Sequence, residues 1–409
     1  MARILVSFLG KVAKDKGGTY KTTAYDLDGQ TYATPFFALA LTRHHAADTL
    51  RILGTAGSMW DVLSVELEPD SIDSPAWDAL ERAVAADAVT QDHLDAVAPL
   101  LDRPGRPRHQ LRLIPYGADE RGQVEILRIL AEGFGPGDRL LLDVTHGLRH
   151  LPMLGLISAF YLRAVAGAEV GGIYYAPYER EREGATPALR LDGLMNLYEW
   201  LRALECFNKD GDYGVFGGLL QADGLRGDLL TEAAFLERVA VAPNAKRKLD
   251  SFMQDQGEPA SPAGRLFLPV LEQRIDWRRG RDRAAWEGRL ARNYLERGDY
   301  LRAAQFGFEA RISGRVIGNR GDPGHYDRDR QDAEMELEQR TKDDRLNPQA
   351  PGNFITLKNL RNALSHGLRA KVDAPGFATR KTAEFIEHLL GDEAKLRDWL
   401  TACFRDLPG

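Results

Sequence analysis

The chain has 409 residues, 44% of them hydrophobic, and a formal charge of −6 at pH 7. This length exceeds one ordinary hydrophobic core and predicts two or three domains. The negative charge excludes a protein coated in basic surface, so any contact with nucleic acid must come from local patches.

Cysteine content and apolar runs exclude further classes of protein. Cys206 and Cys403 are the only cysteines and lie far apart, which excludes a disulfide framework and a cysteine zinc site, and we expect no metal. No apolar run approaches the roughly 20 residues of a membrane span, and the amino terminus leads into a strand pattern instead of a signal peptide. We therefore expect a cytoplasmic protein without a membrane partner.

Two strand patterns near the amino terminus end in loops of small and polar residues. Residues 3–10 form the first, which ends in a loop at 7–10. Residues 49–54 form the second, after a predicted helix over 35–45, and open into a turn at 54–60. Glycine lets backbone approach a ligand closely, and Ser and Thr hydroxyls bind phosphate together with backbone N–H groups. Simple turn chemistry explains either loop alone at least as well.

Nucleotide motifs of the common kinds are missing from the amino-terminal region. A segment rich in Gly, Thr and Lys at residues 14–25 has the composition of a phosphate-facing loop. It lacks the Walker spacing, which disfavours an ATPase. No Gly-x-Gly-x-x-Gly follows the first strand, so a dinucleotide-dependent oxidoreductase is also disfavoured.

A buried-strand pattern runs directly into a helix pattern over residues 139–154. The apolar run at 140–144 is typical of a strand covered on both faces, and apolar residues then recur at helical spacing up to residue 165. Thr145 and His146 therefore lie at the carboxyl end of a strand and the amino end of a helix, where ligands bind in open α/β sheets. Taken alone, the pattern is equally consistent with Asp143 and Thr145 that merely cap the helix.

Strand and helix patterns alternate through the first half of the chain. Further strands are predicted over 111–117, 139–144 and 171–176, and helices over 71–101, 123–134 and 148–165. This alternation predicts right-handed βαβ units and a parallel, Rossmann-like sheet, which we place in a domain over residues 1–190. The second domain, residues 191–409, is predicted to be mainly α-helical. Its polar segment near 318–352 is predicted to be a mobile insertion.

Two features of the second domain stand out. Residues 293–310 read as two helices joined at Gly298, with Asp299 as N-cap of the second. The predicted helix over 353–368, which precedes a last helical stretch over 378–404, carries Arg361, Asn362 and His366. On one helix Arg361 and His366 point about 140° apart, so an ordinary surface arginine and a capping histidine remain an alternative explanation.

The first domain resembles a known family in two places. The order Asp-x-Thr-His-Gly at 143–147, followed by Arg149 and Leu-Pro-Met-Leu at 151–154, resembles the signature of CRISPR-associated DxTHG-motif proteins, whose amino-terminal CARF domain senses cyclic oligoadenylate. The order Gly-Thr…Ser-Met-Trp at 54–60 is similar to a second ligand loop of that family. The resemblance implies ligand contacts by Ser7, Phe8, Leu9, Gly10, Gly54, Thr55, Ser58, Met59, Trp60, Asp143, Thr145, His146, Gly147 and Arg149.

The second domain resembles a HEPN ribonuclease domain through its Arg-Asn-x3-His motif and the preceding helix pair. CARF followed by HEPN is the architecture of type III CRISPR ancillary ribonucleases. The resemblance implies a metal-independent endoribonuclease for single-stranded RNA in antiviral defence, without a cofactor. Cyclic oligoadenylate, with cyclic tetra-adenylate favoured, would activate it, and catalysis by Arg361, Asn362 and His366 would need a homodimer or a higher homo-oligomer.

Two alternatives fit the same sequence. The first is a non-catalytic CARF sensor whose helical domain binds RNA or a protein partner, and it predicts that His366→Ala keeps all function. The second is a ring nuclease, in which the CARF domain cleaves its own activator with Ser or Thr loops that position the 2′-hydroxyl of the ring.

Overall fold

The computed structural model describes residues 1–11, 22–61, 63, 74–102, 104–181, 184–255, 257–341, 347–367 and 380–409. The chain divides into two compact units, Met1–Met195 and Asn196–Gly409. The predicted domain boundary lies between residues 190 and 191. The predicted phosphate-facing segment at 14–25 lies outside the described residues up to position 21.

The first unit is organised around a mostly parallel sheet. Its strands are β1 Arg3–Leu9, β2 Thr23–Leu27, β3 Gln30–Thr34, β4 Thr49–Gly54, β5 Arg108–Leu113, β6 Arg139–Asp143, β7 Glu169–Tyr175, β8 Thr186–Pro187 and β9 Leu189–Arg190. The main sheet has the order β5-β4-β1-β6-β7-β9, in which β9 pairs antiparallel with β7 and all other neighbours are parallel. Strands β3, β2 and β8 form a second small sheet.

Helices cover both faces of the main sheet. They are α1 Phe37–His45, α2 Pro75–Ala85, α3 Gln91–Leu101, α4 Glu120–Ala131 and α5 His150–Tyr161, the last continued by a π-helical turn at Leu162–Ala166. Side chains of β1 alternate between two hydrophobic clusters, with Leu5 and Leu9 in one and Val6 and Phe8 in the other. This period of two, apolar on both sides, explains the continuous apolar run in the sequence. The predicted Rossmann-like parallel sheet is confirmed.

The hairpin of β2 and β3 was not predicted from the sequence. Asp28 and Gly29 join the two strands, with φ of 51° and 81°. Positive φ at both central residues is the geometry of a two-residue hairpin turn, for which Asp-Gly is a favoured pair. The local signal was therefore present, but no buried apolar run flanked it.

The second unit is helical, as predicted. Its helices are α6 Gly193–Asp210, which begins before the unit boundary, then α7 Gly217–Ala222, α8 Gly227–Arg238, α9 Ala242–Gln254, α10 Pro262–Arg274, α11 Arg283–Glu296, α12 Tyr300–Gly318, α13 Gln331–Arg340, α14 Phe354–His366, α15 Arg380–Leu390 and α16 Glu393–Phe404. The predicted helix pair corresponds to α11 and α12. Asp299 caps α12, since its side chain accepts the backbone N–H of Arg302 at 2.9 Å.

In its described residues up to 341, the polar segment near 318–352 packs against neighbouring helices, unlike the predicted mobile insertion. It contains α13, and Arg330 just before this helix is buried against Glu309 and the Ser313 hydroxyl of α12. Ala333 on α13 is fully buried in the core of the unit. The segment is polar because its charges pair with neighbouring helices, so low hydrophobicity did not indicate disorder here.

A carboxyl group lies in the core of the second unit. Glu237 on α8 is fully buried, and its Oε1 accepts the Tyr294 hydroxyl at 2.5 Å. Burial raises the pKa of Glu237 to about 7, although the hydrogen bond from Tyr294 acts in the opposite direction. The folded protein therefore holds this proton more tightly than the unfolded chain does.

We expect Glu237→Gln to remove a pH dependence of stability. The tighter binding of the proton by Glu237 in the folded state contributes its full stabilisation below about pH 4.5. This contribution is lost as pH rises through about 7. Its size is on the order of 3 kcal/mol. Between pH 4.5 and 8 the free energy of unfolding of Glu237→Gln should gain about that much relative to wild type, measured by denaturant titration. The same change at Glu232, which is exposed on the same helix, is the control; equal curves for both variants would contradict the argument.

Candidate functional sites

A pocket of about 400 Å³ lies where three strands end. Strands β4, β1 and β6 are neighbours in the sheet and run parallel, so their carboxyl ends meet at one edge. The predicted residues that line it are Leu9, Gly10, Thr55, Ser58, Thr145, His146 and Gly147. The structure thus brings the three predicted loops together at the edge where open α/β sheets bind ligands.

Asp143 links strand β1 to the loop after β6. Its Oδ2 accepts the Ser7 hydroxyl at 2.7 Å, and its Oδ1 accepts the backbone N–H of Thr145 at 2.9 Å. The Thr145 Oγ1 in turn accepts the backbone N–H of Ala176, after β7, at 3.0 Å. Because Asp143 has no exposed surface, its carboxylate stabilises the loop that forms the pocket and does not contact a ligand.

The loop after β4 is bound to the loop after β1. The Ser58 hydroxyl donates to the carbonyl oxygen of Leu9 at 2.7 Å and accepts the backbone N–H of Thr55 at 3.0 Å. The backbone N–H of Met59 donates to the carbonyl oxygen of Gly10 at 3.2 Å. Trp60 is fully buried, and its Nε1 donates to the carbonyl oxygen of Thr55 at 2.9 Å. This network fixes the shape of the pocket before any ligand arrives.

Two glycines let the first and third loops approach closely. A Cβ on Gly10 would lie 2.9 Å from the backbone nitrogen of Gly147, and a Cβ on Gly147 would lie 2.9 Å from the Cβ of Phe8. Gly147 also has φ of 98°, which side-chain-bearing residues rarely adopt. Glycine is therefore required at both positions for backbone groups to form the wall of the pocket.

His146 contributes an uncharged polar group to the pocket. Burial lowers the pKa of His146, only partly offset by the nearby Asp143 carboxylate, so the imidazole is neutral at pH 7. Its Nε2 is buried and has no hydrogen-bond partner among the described residues. A buried polar nitrogen without a partner is destabilising by about 1–3 kcal/mol, which a ligand atom that bonds to it would relieve.

Part of the pocket lining was not predicted from the sequence. The missed residues are Lys11, Gly57, Asp87, Tyr116, Leu148 and Leu151. Lys11 and Asp87 form an ion pair at 2.9 Å on the rim, although 76 residues separate them. Tyr116 follows β5, so its place after a parallel strand was a signal in the sequence, whereas Asp87 carried none.

Other predicted ligand residues do not line the pocket. Ser7, Phe8, Gly54, Met59, Trp60 and Asp143 are buried, and Arg149 is exposed at the start of α5. A Cβ on Gly54 would lie 2.5 Å from the Trp60 ring, so this glycine makes room for the tryptophan. We therefore assign these six buried residues a role in supporting the walls of the pocket, instead of the predicted contact with the ligand.

The second candidate site lies on α14. Arg361 and Asn362 are half-buried, and His366 is exposed in the last turn, which Gly367 ends in the left-handed conformation. The guanidinium carbon of Arg361 lies 4.3 Å from the ring centroid of Phe308 on α12. As a regular helix, α14 keeps Arg361 and His366 about 140° apart, so it does not aim both at one point.

The described residues contain neither a metal-binding cluster nor a helix that could span a membrane. No group of three or more His, Cys, Asp or Glu side chains there is arranged to hold a metal ion. None of the helices in this part of the chain is long and apolar enough to cross a membrane. Cys206 and Cys403 are free thiols.

Comparison with known proteins identifies the first unit. The family model described as "CRISPR system endoribonuclease Csx1, CARF domain" matches residues 4–177. The chain is 24% identical over 222 residues to CRISPR-associated protein MJ1674 of Methanocaldococcus jannaschii. This alignment covers 49% of the chain and 35% of the relative, so the chain spans about a third of the length of the curated protein that it matches.

Proposed function

Since the chain is a CRISPR-associated protein with an amino-terminal CARF domain, we propose that it is an endoribonuclease activated by cyclic oligoadenylate in type III CRISPR defence. The observation that carries the proposal is the pocket at the ends of β1, β4 and β6, which lies within the matched CARF region. The activator would bind there and shift a two-state dimer towards a geometry in which the helical units cleave single-stranded RNA.

The chemistry of the pocket suits a ring of phosphates and adenines. Gly10 and Gly147 line the wall, so their backbone groups can approach a ligand closely, and Thr55 and Thr145 line it too. Such groups bind phosphate without a large net charge. Lys11 supplies a positive charge at the rim of the pocket, where it forms an ion pair with Asp87 in this structure. Cyclic tetra-adenylate is the favoured ring.

The residues on α14 suit metal-independent cleavage of RNA. The 2′-hydroxyl of RNA attacks the adjacent phosphorus, the P–O5′ bond breaks, and the products carry a 2′,3′-cyclic phosphate and a 5′-hydroxyl. His366 would take or give a proton in this step, because histidine is the side chain that most often acts as general acid or base. Arg361 would stabilise the developing charge on the phosphate oxygens, and Asn362 would orient the imidazole or the phosphate.

An apolar stripe on α5 supports a homodimer. Met153, Ile157, Tyr161 and Val165 recur at four-residue steps and are 70%, 53%, 40% and 66% exposed. Residues at this spacing lie on one face of a helix, and contiguous exposed apolar surface marks interaction sites. The stripe runs from the pocket loop at Thr145 and His146 along α5, so a second copy that covers it would place two pockets side by side.

We expect Ile157→Asp to weaken this dimer by at least tenfold, because a carboxylate would be buried in an apolar contact. Sedimentation velocity over a range of concentrations measures the dissociation constant. Val124→Asp, at a residue of α4 that is 59% exposed, is the matched control and should leave assembly unchanged. An unchanged dimer in Ile157→Asp would place the interface elsewhere.

The test of the proposed function is cleavage of a fluorescent single-stranded RNA by the full-length protein in EDTA. Cyclic tetra-adenylate and cyclic hexa-adenylate are compared with no activator. Cleavage that requires one ring and survives EDTA supports the proposal and identifies the ring. Measurable ring binding without RNA cleavage would favour the sensor, and conversion of the ring itself would favour the ring nuclease.

A further inference from the structure

Lys358 extends the proposed RNA site along α14. It lies one turn before Asn362 and two turns before His366, so ideal helix geometry places the three residues within about 80° of arc. Two turns correspond to a translation of about 12 Å along the axis. A phosphate that Lys358 binds would therefore belong to a different nucleotide from the one at His366.

An acidic helix holds Lys358 in the present structure. Its ammonium group lies 2.7 Å from a carboxylate oxygen of Glu334 and 2.5 Å from one of Glu338. These two glutamates are four residues apart on α13 and so share the face that meets α14. The three side chains are each about one-third exposed or less, so solvent reaches the cluster and an oligonucleotide phosphate can compete for the lysine.

The rest of α13 is anchored to α12 and the core. Glu336 accepts hydrogen bonds from Arg315 and from the Asn319 side chain at 2.9 Å. Ala333 is fully buried, and Leu337 packs against the same core. The anchored helix α13 therefore holds two carboxylates beside Lys358. In this way the polar segment of the sequence contributes to the surroundings of the proposed RNA site.

We infer that Lys358 is a phosphate-binding residue for the RNA substrate, and that Glu334 and Glu338 compete with RNA for it. The inference rests on the proposed function, since it assigns a substrate contact on the same helix. Two negative charges beside the only ammonium group in this cluster repel a polyanion, and RNA must replace both ion pairs to reach the lysine.

The test is binding of a fluorescein-labelled 2′-O-methyl oligoribonucleotide, which lacks the nucleophile and is not cleaved, to full-length protein with cyclic tetra-adenylate. The affinity of Glu334→Gln/Glu338→Gln should rise about fivefold. Lys358→Met should bind more weakly, and the slope of log K against log salt should fall by about 0.7. Lys358→Arg should keep the wild-type slope.

The control removes the same charge without touching Lys358. Asp327 and Asp332 are exposed, and Asp327→Asn/Asp332→Asn should bind as wild type does. Thermal unfolding of each variant checks that it is folded. Equal affinity and slope in the glutamate variant, the lysine variant and wild type would overturn the inference even if wild type cleaves RNA. If these shifts occur while RNA remains uncleaved, Lys358 still binds phosphate and only the proposed cleavage is wrong.

Discussion

Replacing His366 by alanine should abolish activator-dependent RNA cleavage, with a loss of about 10²- to 10⁴-fold in rate. Of the three side chains of the motif, histidine is the one suited to general acid–base catalysis, whereas the guanidinium and the amide serve as hydrogen-bonding groups. His366 is exposed in the last turn of α14, so its removal leaves no cavity in the core. Single-turnover cleavage of labelled RNA measures the effect.

His388 provides a matched control for this experiment. It is also exposed and also lies in the last turn of its helix, α15, so His388→Ala removes the same side chain from an equivalent local position. Cleavage should be unchanged in His388→Ala, and both variants should bind the activator as wild type does. Full cleavage by His366→Ala would exclude the proposed mechanism and favour a sensor without nuclease activity.

The sequence predicted Arg361 as a site residue but not the residues that surround it. The residue itself was found from the spacing Arg-Asn-x3-His. Its position over the ring of Phe308 depends on the packing of α12 against α14, and 53 residues separate the two. Such a contact restricts the guanidinium to one orientation, but no local pattern indicates which aromatic residue supplies it.

The parallel sheet could be predicted because each of its central strands is covered on both faces. Strands β1 and β6 therefore appear as short apolar runs, and turns or helices bound them on either side. Strands β2 and β3 are partly exposed and gave no such run. Helix α13 was missed for a related reason, since its glutamates pair with Lys358 and Arg315 on other helices and only its small and apolar side chains reach the core.

The pocket was predictable where it follows the strands and unpredictable elsewhere. Thr145 was located from its place at the carboxyl end of a strand, and Thr55 from the resemblance of residues 54–60 to a ligand loop of the family. Which residues of those loops are buried depends on packing, and the sequence does not show it. Trp60 was predicted to contact the ligand, whereas it is buried and supports the loop. Asp87 comes from the turn after α2, where its φ of 50° reflects a local turn, and only the folded chain brings it to Lys11.

Replacing Gly147 by alanine should weaken activator binding by about 10- to 100-fold. The new Cβ would lie 2.9 Å from the Cβ of Phe8 and 3.3 Å from the Cδ1 of Leu151, and the residue would keep a φ of 98°. Backbone strain of this kind costs about 1–3 kcal/mol, and each 1.4 kcal/mol corresponds to about tenfold in affinity. The loop would relieve the strain by moving away from β1, which opens the wall that Gly10 and Gly147 form together.

Gly105→Ala separates this effect from backbone strain alone. Gly105 has a φ of 81°, and no atom lies within 4 Å of a Cβ placed there, so the variant carries similar strain without a clash and outside the ligand pocket. Calorimetric titration with cyclic tetra-adenylate should show wild-type affinity for Gly105→Ala and a large loss for Gly147→Ala, while circular dichroism reports that both are folded. Activation of RNA cleavage should shift to higher ring concentration in the same proportion, because the ring acts through this pocket. Equal affinity in both variants would mean that the ring binds at another place on the protein.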